Sequence, residues 1–324
     1  MDGAADGAAS RDRTQAVAFA ALLAISAIWG STFFLIKDLV ARLGVLDVLA
    51  LRFGIASLAL AVLAAPRLRI DAVVLRRGLL LGLLYGVAQI LQTAGLSLTS
   101  ASVSGFVTGL YVVLTPLLGA LLLRSRVDRA TWAGASLAAV GLGVLSLRGL
   151  SVGGGEALTF AAAAVYALHI LALSRFSDPA RALGLSLVQL VAITGVCTLA
   201  GLWPDAQGHV GIALPSSAHD WWSLVYLAVV AGALAMVLQT WAQSHVEPSR
   251  AAVVMAVEPV WAAAFAVVLG GERVTVRMVV GGLAIVAAMY LVELSPRRAG
   301  PPAAGATSGA ATLDAPVVPG APSV

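Results

Sequence analysis

The chain contains a series of apolar segments, each long enough to cross a lipid bilayer. A hydrocarbon core of about 30 Å requires about 20 apolar residues per helix. The sequence is 60% hydrophobic and 11% charged, whereas soluble proteins are about 45–50% apolar and about 25% charged. It therefore predicts an all-α integral membrane protein. Ten segments meet the length requirement: residues 16–37, 47–65, 78–98, 101–123, 131–147, 156–174, 183–203, 222–243, 249–269 and 276–294.

The basic residues are distributed unevenly between the two sides of the predicted membrane. If the N-terminus is cytoplasmic, fourteen of the twenty Lys and Arg residues fall in inner segments, five fall in outer segments, and Arg52 lies within a span. Such a bias orients membrane proteins, so both termini are predicted to be cytoplasmic. The same distribution explains the net charge of +4 without a nucleic-acid partner. The composition, rich in arginine and alanine, is typical of a GC-rich bacterium and indicates the plasma (inner) membrane.

Several kinds of chemistry are disfavoured by residues that the sequence lacks. The single cysteine, Cys197, permits neither a disulfide nor a cysteine metal site within one chain. His209 and His219 share a loop but lack the spacing of metal ligands. No phosphate-binding G-x-x-x-x-G-K-[ST] motif occurs. We therefore predict no metal, no cofactor, no ATP-driven step and no enzymatic activity.

An internal repeat relates the two halves of the chain. One shift of 147 residues holds across three predicted spans. It aligns Ala88, Leu91, Gln92, Thr93, Ser97, Ser102, Arg126, Val127 and Gly134 with Ala235, Leu238, Gln239, Thr240, Ser244, Ser249, Arg273, Val274 and Gly281.

Each copy of the repeat contains five spans, so the second copy must cross the membrane in the opposite sense. Inverted repeats are typical of secondary transporters, whose substrate site lies near the midplane between the halves. We predict inverted five-helix repeats at residues 16–149 and 156–294. Disordered cytoplasmic ends are predicted at residues 1–15 and 295–324. A duplicated bundle without transport activity is the alternative.

Two intramembrane prolines break the match between the halves. Pro259 aligns with Val112, whereas the first half has its proline at Pro116, four residues later. Proline removes a helix hydrogen bond and kinks the helix, so the two kinks are expected at different depths. Interrupted helices mark the binding region of many transporters, although simple kinks are also tolerated in membranes.

Several short motifs, taken in order, resemble the EamA-type transporters of the drug/metabolite transporter superfamily. The resemblance covers about residues 17 to 294, although Ser125 replaces the glutamate that corresponds to Glu272. It implies ten spans in two inverted repeats and transport of small metabolites, often outward. The motifs are Trp29-Gly30-Ser31-Thr32-Phe33-Phe34 with Lys37, Arg52-Phe53, Gln92-Thr93-Ala94-Gly95-Leu96, Thr99-Ser100-Ala101, Gly105-Phe106, Thr115-Pro116-Leu117-Leu118, Gln239-Thr240-Trp241-Ala242-Gln243, Glu258-Pro259-Val260 and Gly270-Gly271-Glu272-Arg273-Val274-Thr275.

Glu258 is the leading candidate for a functional carboxylate. It lies beside Pro259 in the apolar run from Ser249 to Leu269, and ionisable groups at bilayer depth are costly enough to indicate function. Three roles remain open for it: proton coupling, direct substrate contact, and a structural hydrogen bond at the kink.

Two glutamine pairs are candidate substrate-binding residues. Gln89 and Gln92 are three residues apart, and Gln239 and Gln243 are four apart, so each pair lies on one helix face. Amides can donate to and accept from a polar solute. The alternative is hydrogen bonding between helices.

Trp29, Tyr111 and His169 complete the predicted substrate site. Tyr111 is the repeat counterpart of Glu258, and both aromatic residues could line a central cavity; Trp29 with Gly30 could equally form a packing notch. His169 could titrate near neutral pH or make one structural hydrogen bond. Arg52 is open to anion recognition, carboxylate pairing or an interfacial position.

These features together predict a secondary transporter in the lipid bilayer. Its substrate is expected to be a small metabolite, either an amino acid or a drug-like amphipathic solute. Export by alternating access, with possible coupling to protons, is the leading mechanism. A non-transporting membrane protein, either a lipid-handling enzyme or a sensor, is the alternative.

Overall fold

A computed structural model describes residues 2–123, 127, 129–148, 151–176, 181–202, 211–243 and 254–293. These residues form helices, short connections and one small hairpin. The predicted C-terminal tail (295–324) and the start of the ninth predicted segment (249–253) lie outside the described residues.

The helices of the first half follow the first five predicted segments. The sequence predicts a disordered end up to residue 15, but the first helix extends to Asp2 because alanine, abundant there, favours helix. The helices are α1 (Asp2–Leu43), α2 (Val45–Ala64), α3 (Ala72–Leu98), α4 (Ala101–Gly109), α5 (Tyr111–Leu123) and α6 (Arg129–Ser146), with a 3-10 turn at Ala65–Arg67.

The halves are joined by a two-stranded antiparallel hairpin of β1 (Leu147–Arg148) and β2 (Ser151–Val152). The second half continues with α7 (Gly154–Phe176), α8 (Ala182–Gly201), α9 (Ala218–Val225), a π-helical segment (Tyr226–Leu234), α10 (Ala235–Gln243), α11 (Glu258–Val268) and α12 (Val276–Glu293).

Six helices are long and apolar enough to cross a membrane, judged by length and composition over the described residues: Arg13–Leu43, Val45–Arg67, Ala72–Leu98, Ala101–Leu122, Gly154–Leu173 and Ala182–Gly201. Three shorter apolar helices accompany them, at Arg129–Leu145, Glu258–Val268 and Val276–Val292. The chain is therefore a multi-pass, all-helical protein apart from its small hairpin.

Polar side chains cap the helices where they leave the apolar layer. Asp71 accepts a hydrogen bond from Val74 N–H at 2.8 Å at the start of α3. This bond, together with the nearby Arg181 guanidinium, holds the pKa of Asp71 below its ordinary value. At the other end of the bundle, the Arg42 guanidinium and then the Ser217 hydroxyl hold the pKa of Asp220 below its ordinary value. Both carboxylates therefore stay charged at neutral pH.

The fourth span is interrupted at Leu110, between α4 and α5, and the ninth at Ala256–Val257, before α11. Leu110 N–H donates to Val107 O at 3.2 Å, and Val257 N–H donates to Val254 O at 3.3 Å. A shift of 147 residues maps the first bond onto the second. The interruptions are therefore tight turns at equivalent positions of the repeat.

The prolines of the two halves are four residues apart in repeat register, whereas the interruptions are not. Pro116 lies within α5, six residues after the turn at Leu110, whereas Pro259 lies in the first turn of α11. A proline at the start of a helix loses no hydrogen bond. The helix interruptions thus match in repeat register, whereas kinks at different depths at Pro116 and Pro259 stay a prediction.

The helices pack in pairs across the two halves. α3 packs along α7 and α8, α2 along α8, α4 along α11, and α6 along α12. The approach of α6 to α12 requires glycine, because a Cβ atom on Gly141 would lie 2.8 Å from the carbonyl oxygen of Gly281. The interior between these helices contains the residues described next.

Candidate functional site

Three tyrosines from three helices meet in the middle of the bundle. The rings of Tyr85 on α3 and Tyr166 on α7 have centroids 5.7 Å apart. Tyr111, the first residue of α5, approaches Tyr166 with a centroid distance of 6.5 Å. Because the three rings come from both halves of the chain, this tyrosine cluster lies on the interface between the repeats. Tyr111 thus contacts Tyr166, which in turn contacts Tyr85.

Gln92 links the tyrosine cluster to the helix before the first interruption. Its Nε2 donates to Thr108 Oγ1 at 3.1 Å, and its Oε1 accepts from the hydroxyl of Tyr166 at 2.9 Å. Gln92 therefore joins α3, α4 and α7. Any solute that binds Gln92 must exchange for one of these hydrogen bonds.

Gln239 makes the repeat-equivalent contact in the second half. Its Nε2 lies 3.8 Å from the sulfur of Met255, and Gln239 and Met255 are 147 residues beyond Gln92 and Thr108. Each glutamine thus contacts the residue sixteen positions later, just before a helix interruption. A thioether is a weak acceptor, so Gln239 is held less tightly than Gln92. The side chain of Gln243 lies outside the described residues.

Gln89 lies one helical turn from Tyr85 and is 5% exposed. Its Nε2 donates to the Tyr85 hydroxyl at 3.0 Å. Its Oε1 is buried and has no hydrogen-bond partner among the described residues. An unsatisfied buried polar atom costs free energy, which makes Gln89 a candidate for contact with a ligand.

Glu258 is the first residue of α11, directly after the second interruption and equivalent to Tyr111. Its carboxylate is close enough to Tyr85 and Tyr166 to interact electrostatically with both. No hydrogen bond or ion pair joins it to the described part of the chain. The helix N-terminus favours a negative charge at this position. Glu258 therefore belongs to the same interior region as the tyrosine cluster.

His169 is buried at the edge of the tyrosine cluster. Its Nε2 is 2.9 Å from Oε1 of Gln189 on α8, and its ring centroid is 5.2 Å from that of Tyr85. The Gln189 amide in turn donates to Leu185 O at 3.3 Å. His169 thus makes the interhelical hydrogen bond foreseen as its structural alternative, while its ring still borders the cluster.

Trp29 is tied to the π-helical segment of the second half. Its Nε1 donates to Ala231 O at 2.9 Å, and Arg52 on α2 donates from Nε to Leu227 O in the same segment at 3.3 Å. Trp29 and Arg52 each donate to a carbonyl of this segment and so hold α1 and α2 against it. The neighbouring Gly30 lets α1 approach the backbone of Trp261 and Ala262.

A polar network closes one end of the bundle, the end predicted to be outer. Glu272 accepts from Ala101 N–H at 2.6 Å and from Ser102 N–H at 3.2 Å, at the start of α4. Lys37 lies 3.9 Å from Glu272 Oε1 and donates to Thr99 O at 2.6 Å. This outer network joins α1 and α4 to the loop after α11.

Tyr85, Tyr166 and Thr108 are not among the site residues predicted from the sequence. Tyr85 carries a signal, because it lies four residues before Gln89 on the helix face of the glutamine pair. Tyr166 carries none, because its partner Gln92 is 74 residues away. Among the described residues, no group of three or more His, Cys, Asp or Glu could hold a metal ion.

Comparison with known proteins confirms the resemblance drawn from the motifs. An uncharacterized transporter of Archaeoglobus fulgidus is 28% identical over 274 residues, which cover 84% of each chain. A solved crystal structure shares the fold, with a TM-score of 0.59 at 20% identity, over 84% of this chain and 95% of that chain. The model of the EamA-like transporter family matches residues 16–147 and again residues 153–294. The chain belongs to the EamA-like transporter family.

Proposed function

We propose that the protein is a secondary transporter that carries a small amphipathic metabolite through the interior site by alternating access. The observation that carries this proposal is the pair of matched helix interruptions. Tyr111, a member of the tyrosine cluster, and Glu258 directly follow these interruptions at positions related by the 147-residue shift. Interrupted helices at the interface between repeats are where many transporters bind their substrates.

The helix packing supports an inverted repeat. In chain order, α1, α2 and α3 of the first half correspond to α7, α8 and the helix of α9 and α10 in the second half. The packing of α3 on α7 then exchanges with that of α10 on α1, and both contacts occur. The pairs α2 with α8 and α6 with α12 join equivalent helices of the two halves, and α4 with α11 joins the fourth span to the ninth, as expected around a twofold axis. With five spans in each half, that axis lies in the membrane plane, which gives ten spans in all.

The residues proposed to bind the substrate also follow the repeat. Gln92, Gln239, Tyr111 and Glu258 form two symmetry-related pairs next to the interruptions, with Gln89 and His169 beside them. Trp29 positions α1 against the π-helical segment, and Gln243 is proposed to lie near Gln239 on the same face of α10. Transport driven by a proton gradient needs a titratable group, and Glu258 is proposed to supply it. The outward direction rests on the family resemblance.

The competing hypothesis is a lipid-handling enzyme or a sensor. An enzyme would need a nucleophile with its base, or a metal, and the interior site instead combines tyrosines, amides and one carboxylate. Both halves of the chain, residues 16–147 and 153–294, match a transporter family. The relative from Archaeoglobus fulgidus is also named as a transporter. These observations favour transport.

The proposed orientation has both termini in the cytoplasm of a bacterial plasma membrane. Reporter fusions near Arg76 and after Arg298 are expected to report the cytoplasm, and one near His209 the exterior. The measurement is paired fluorescence and alkaline phosphatase activity in whole cells. A cytoplasmic signal at His209 would contradict the ten-span arrangement.

The transport function is tested with the purified full chain in proteoliposomes. Proteoliposomes preloaded with amino acids or lipophilic amines are expected to release a substrate faster than protein-free liposomes loaded in the same way, and to exchange it for the same solute outside. A pH gradient that is acidic outside is expected to increase the rate of release, because protons would then enter as the solute leaves. Protein-free liposomes and vesicles with heat-denatured protein serve as controls. Equal release from all three preparations, across both classes of solute, would contradict transport.

A further inference from the structure

Arg52 is a buried cation with unused hydrogen-bond donors. It is 5% exposed, and its guanidinium lies over the ring of Phe53, 5.1 Å from the ring centroid. Its only hydrogen bond to the described residues joins Nε to Leu227 O. Guanidinium carries five N–H donors, and a charged group at bilayer depth is costly without partners. The π-helical carbonyl therefore accounts for one donor and leaves the terminal nitrogens available.

Gln89 is a second buried group with an unused atom. The Tyr85 hydroxyl can pair with only one atom of the Gln89 amide at a time. In the structure Nε2 takes this partner and Oε1 has none among the described residues. If the amide turned over, the Tyr85 hydroxyl would donate to Oε1 and Nε2 would become the free donor. The amide can therefore offer an N–H group without losing its bond to Tyr85.

Arg52 and Gln89 both approach Tyr85. The Arg52 guanidinium lies over the ring of Phe53, whose centroid is 6.1 Å from that of Tyr85, and Gln89 is bonded directly to the Tyr85 hydroxyl. Glu258 interacts with Tyr85 and Tyr166, but no ion pair joins it to Arg52 in the described part of the chain. The interior site thus has a cationic side with spare donors at Arg52 and Gln89, and an anionic side at Glu258.

We infer that Arg52 and Gln89 form a subsite for a carboxylate of the transported solute. The planar guanidinium matches a carboxylate with two parallel hydrogen bonds. The turned amide of Gln89 donates a third, and the Tyr85 hydroxyl then donates to Gln89. One carboxylate would satisfy the spare donors of both buried side chains. This inference rests on the proposed transport function and specifies the charge that a substrate must carry.

A structural role for Arg52 alone explains less. Fastening α2 to the π-helical segment needs one donor, which a neutral side chain could supply without the cost of a buried charge. Such a role also leaves the unpaired atom of Gln89 unexplained. A carboxylate ligand accounts for both observations with groups that lie around one tyrosine.

The test uses solutes that differ only in their charged groups. The first set is L-leucine, isopentylamine, which lacks the carboxylate, and 4-methylpentanoate, which lacks the amine. The second set is L-phenylalanine, 2-phenylethylamine and 3-phenylpropanoate. Binding is measured as the rise in the thermal unfolding midpoint of the purified full chain in detergent. At least one carboxylate-bearing member of a set is expected to stabilise the protein, and the matching amine is expected to have no effect.

Arg52→Gln is expected to weaken binding of the stabilising solute by about a hundredfold, the size of effect seen when one partner of a buried charge pair is removed. Arg52→Lys keeps the charge but loses the paired geometry and is expected to fall between Arg52→Gln and the unaltered protein. Gln89→Met is expected to weaken binding less than Arg52→Gln does. Arg77→Gln, an exposed arginine on α3, is the matched control and is expected to bind normally. If Arg52→Gln fails to fold, the comparison of solutes on the unaltered protein still decides.

Each outcome bears on one hypothesis. Equal or tighter binding of an amine, or no binding of any solute in either set, overturns the carboxylate subsite. Transport of the amine in proteoliposomes, without transport of its carboxylate analogues, overturns the subsite but keeps the transport function. Binding of a carboxylate solute that depends on Arg52, without flux of that solute, supports the subsite and contradicts the transport function.

Discussion

Glu258→Gln is expected to abolish the dependence of transport on a pH gradient while leaving exchange of substrate for substrate intact. Glutamine keeps the size and hydrogen-bonding capacity of glutamate but cannot titrate. A gradient of one pH unit stores about 1.4 kcal/mol per proton, enough for about tenfold accumulation of a solute. In the variant the solute is expected to reach the same concentration on both sides of the membrane, without accumulation. Exchange needs no net proton movement and therefore survives.

The position of Glu258 supports this expectation. A carboxylate facing lipid would have to stay neutral or draw water into the bilayer, whereas Glu258 faces the interior, near the tyrosine cluster. Among the described residues, the other titratable or charged groups in and around that cluster are Tyr85, Tyr111, Tyr166, His169 and Arg52. Of the two carboxyl oxygens, neither has a partner in the described part of the chain, so a proton or a substrate can reach them without breaking a bond.

Solute accumulation in proteoliposomes with an imposed pH gradient is the measurement for Glu258. Asp71→Asn is the matched control, because it removes a carboxylate outside the spans and asparagine still caps a helix. A well-folded Glu258→Gln protein that responds to the gradient like the unaltered protein would exclude the coupling role. Loss of exchange as well would instead assign Glu258 to substrate binding.

Much of the architecture of this protein can be predicted from its sequence. Apolar length indicates where the helices lie, because a bilayer imposes the same requirement on every span. The 147-residue shift predicts equivalent environments for Gln92 and Gln239, and their contacts to Thr108 and Met255 match across the repeat. Periodicity and repetition are local properties of a chain, so one sequence is enough to detect them.

The positions of the helix interruptions could not be predicted, because tertiary packing fixes them. Because proline removes a helix hydrogen bond, the sequence predicts the interruptions at the prolines. The first turn is nevertheless at Leu110 and not at Pro116. Gly109, just before that turn, packs against Pro259, since a Cβ atom there would lie 2.7 Å from Pro259 Cγ. The two interrupted helices thus meet face to face. A contact between residues so far apart in the chain leaves no periodic signal.

The tyrosine cluster could not be predicted for the same reason, because tertiary packing brings its members together. Tyr166 is one aromatic residue in an apolar run, and its partners Tyr85, Gln92 and Tyr111 come from other helices. The role of Trp29 also depends on a distant feature, the π-helical segment whose carbonyl it satisfies. Apolar length predicts that these residues lie within membrane spans, but only the fold shows which of them are neighbours.

Glu272→Gln is expected to open the end of the bundle that is predicted to be outer. In the structure the Glu272 carboxylate holds the start of α4 through two backbone N–H groups and lies near Lys37. Gly271 has a φ of 69°, a left-handed conformation that glycine adopts readily, and it places Glu272 at this position. The outer network therefore joins α1 and α4 of the first half to the second half. Alternating access requires these contacts to break whenever the site faces outward.

Neutralising Glu272 weakens the closed state without adding bulk. Hydrogen bonds to a charged group contribute about 1 kcal/mol more than neutral ones, so two such bonds shift the equilibrium between closed and open states by more than about tenfold. The readout is a cysteine introduced at Gln92, in a protein whose native Cys197 is replaced by alanine. A membrane-impermeant maleimide applied from outside is expected to label it about tenfold faster in Glu272→Gln. Arg273→Gln, a change at the adjacent exposed residue, is expected to label at the unaltered rate. Identical labelling rates in all three proteins would show that the outer network does not control access to the interior site.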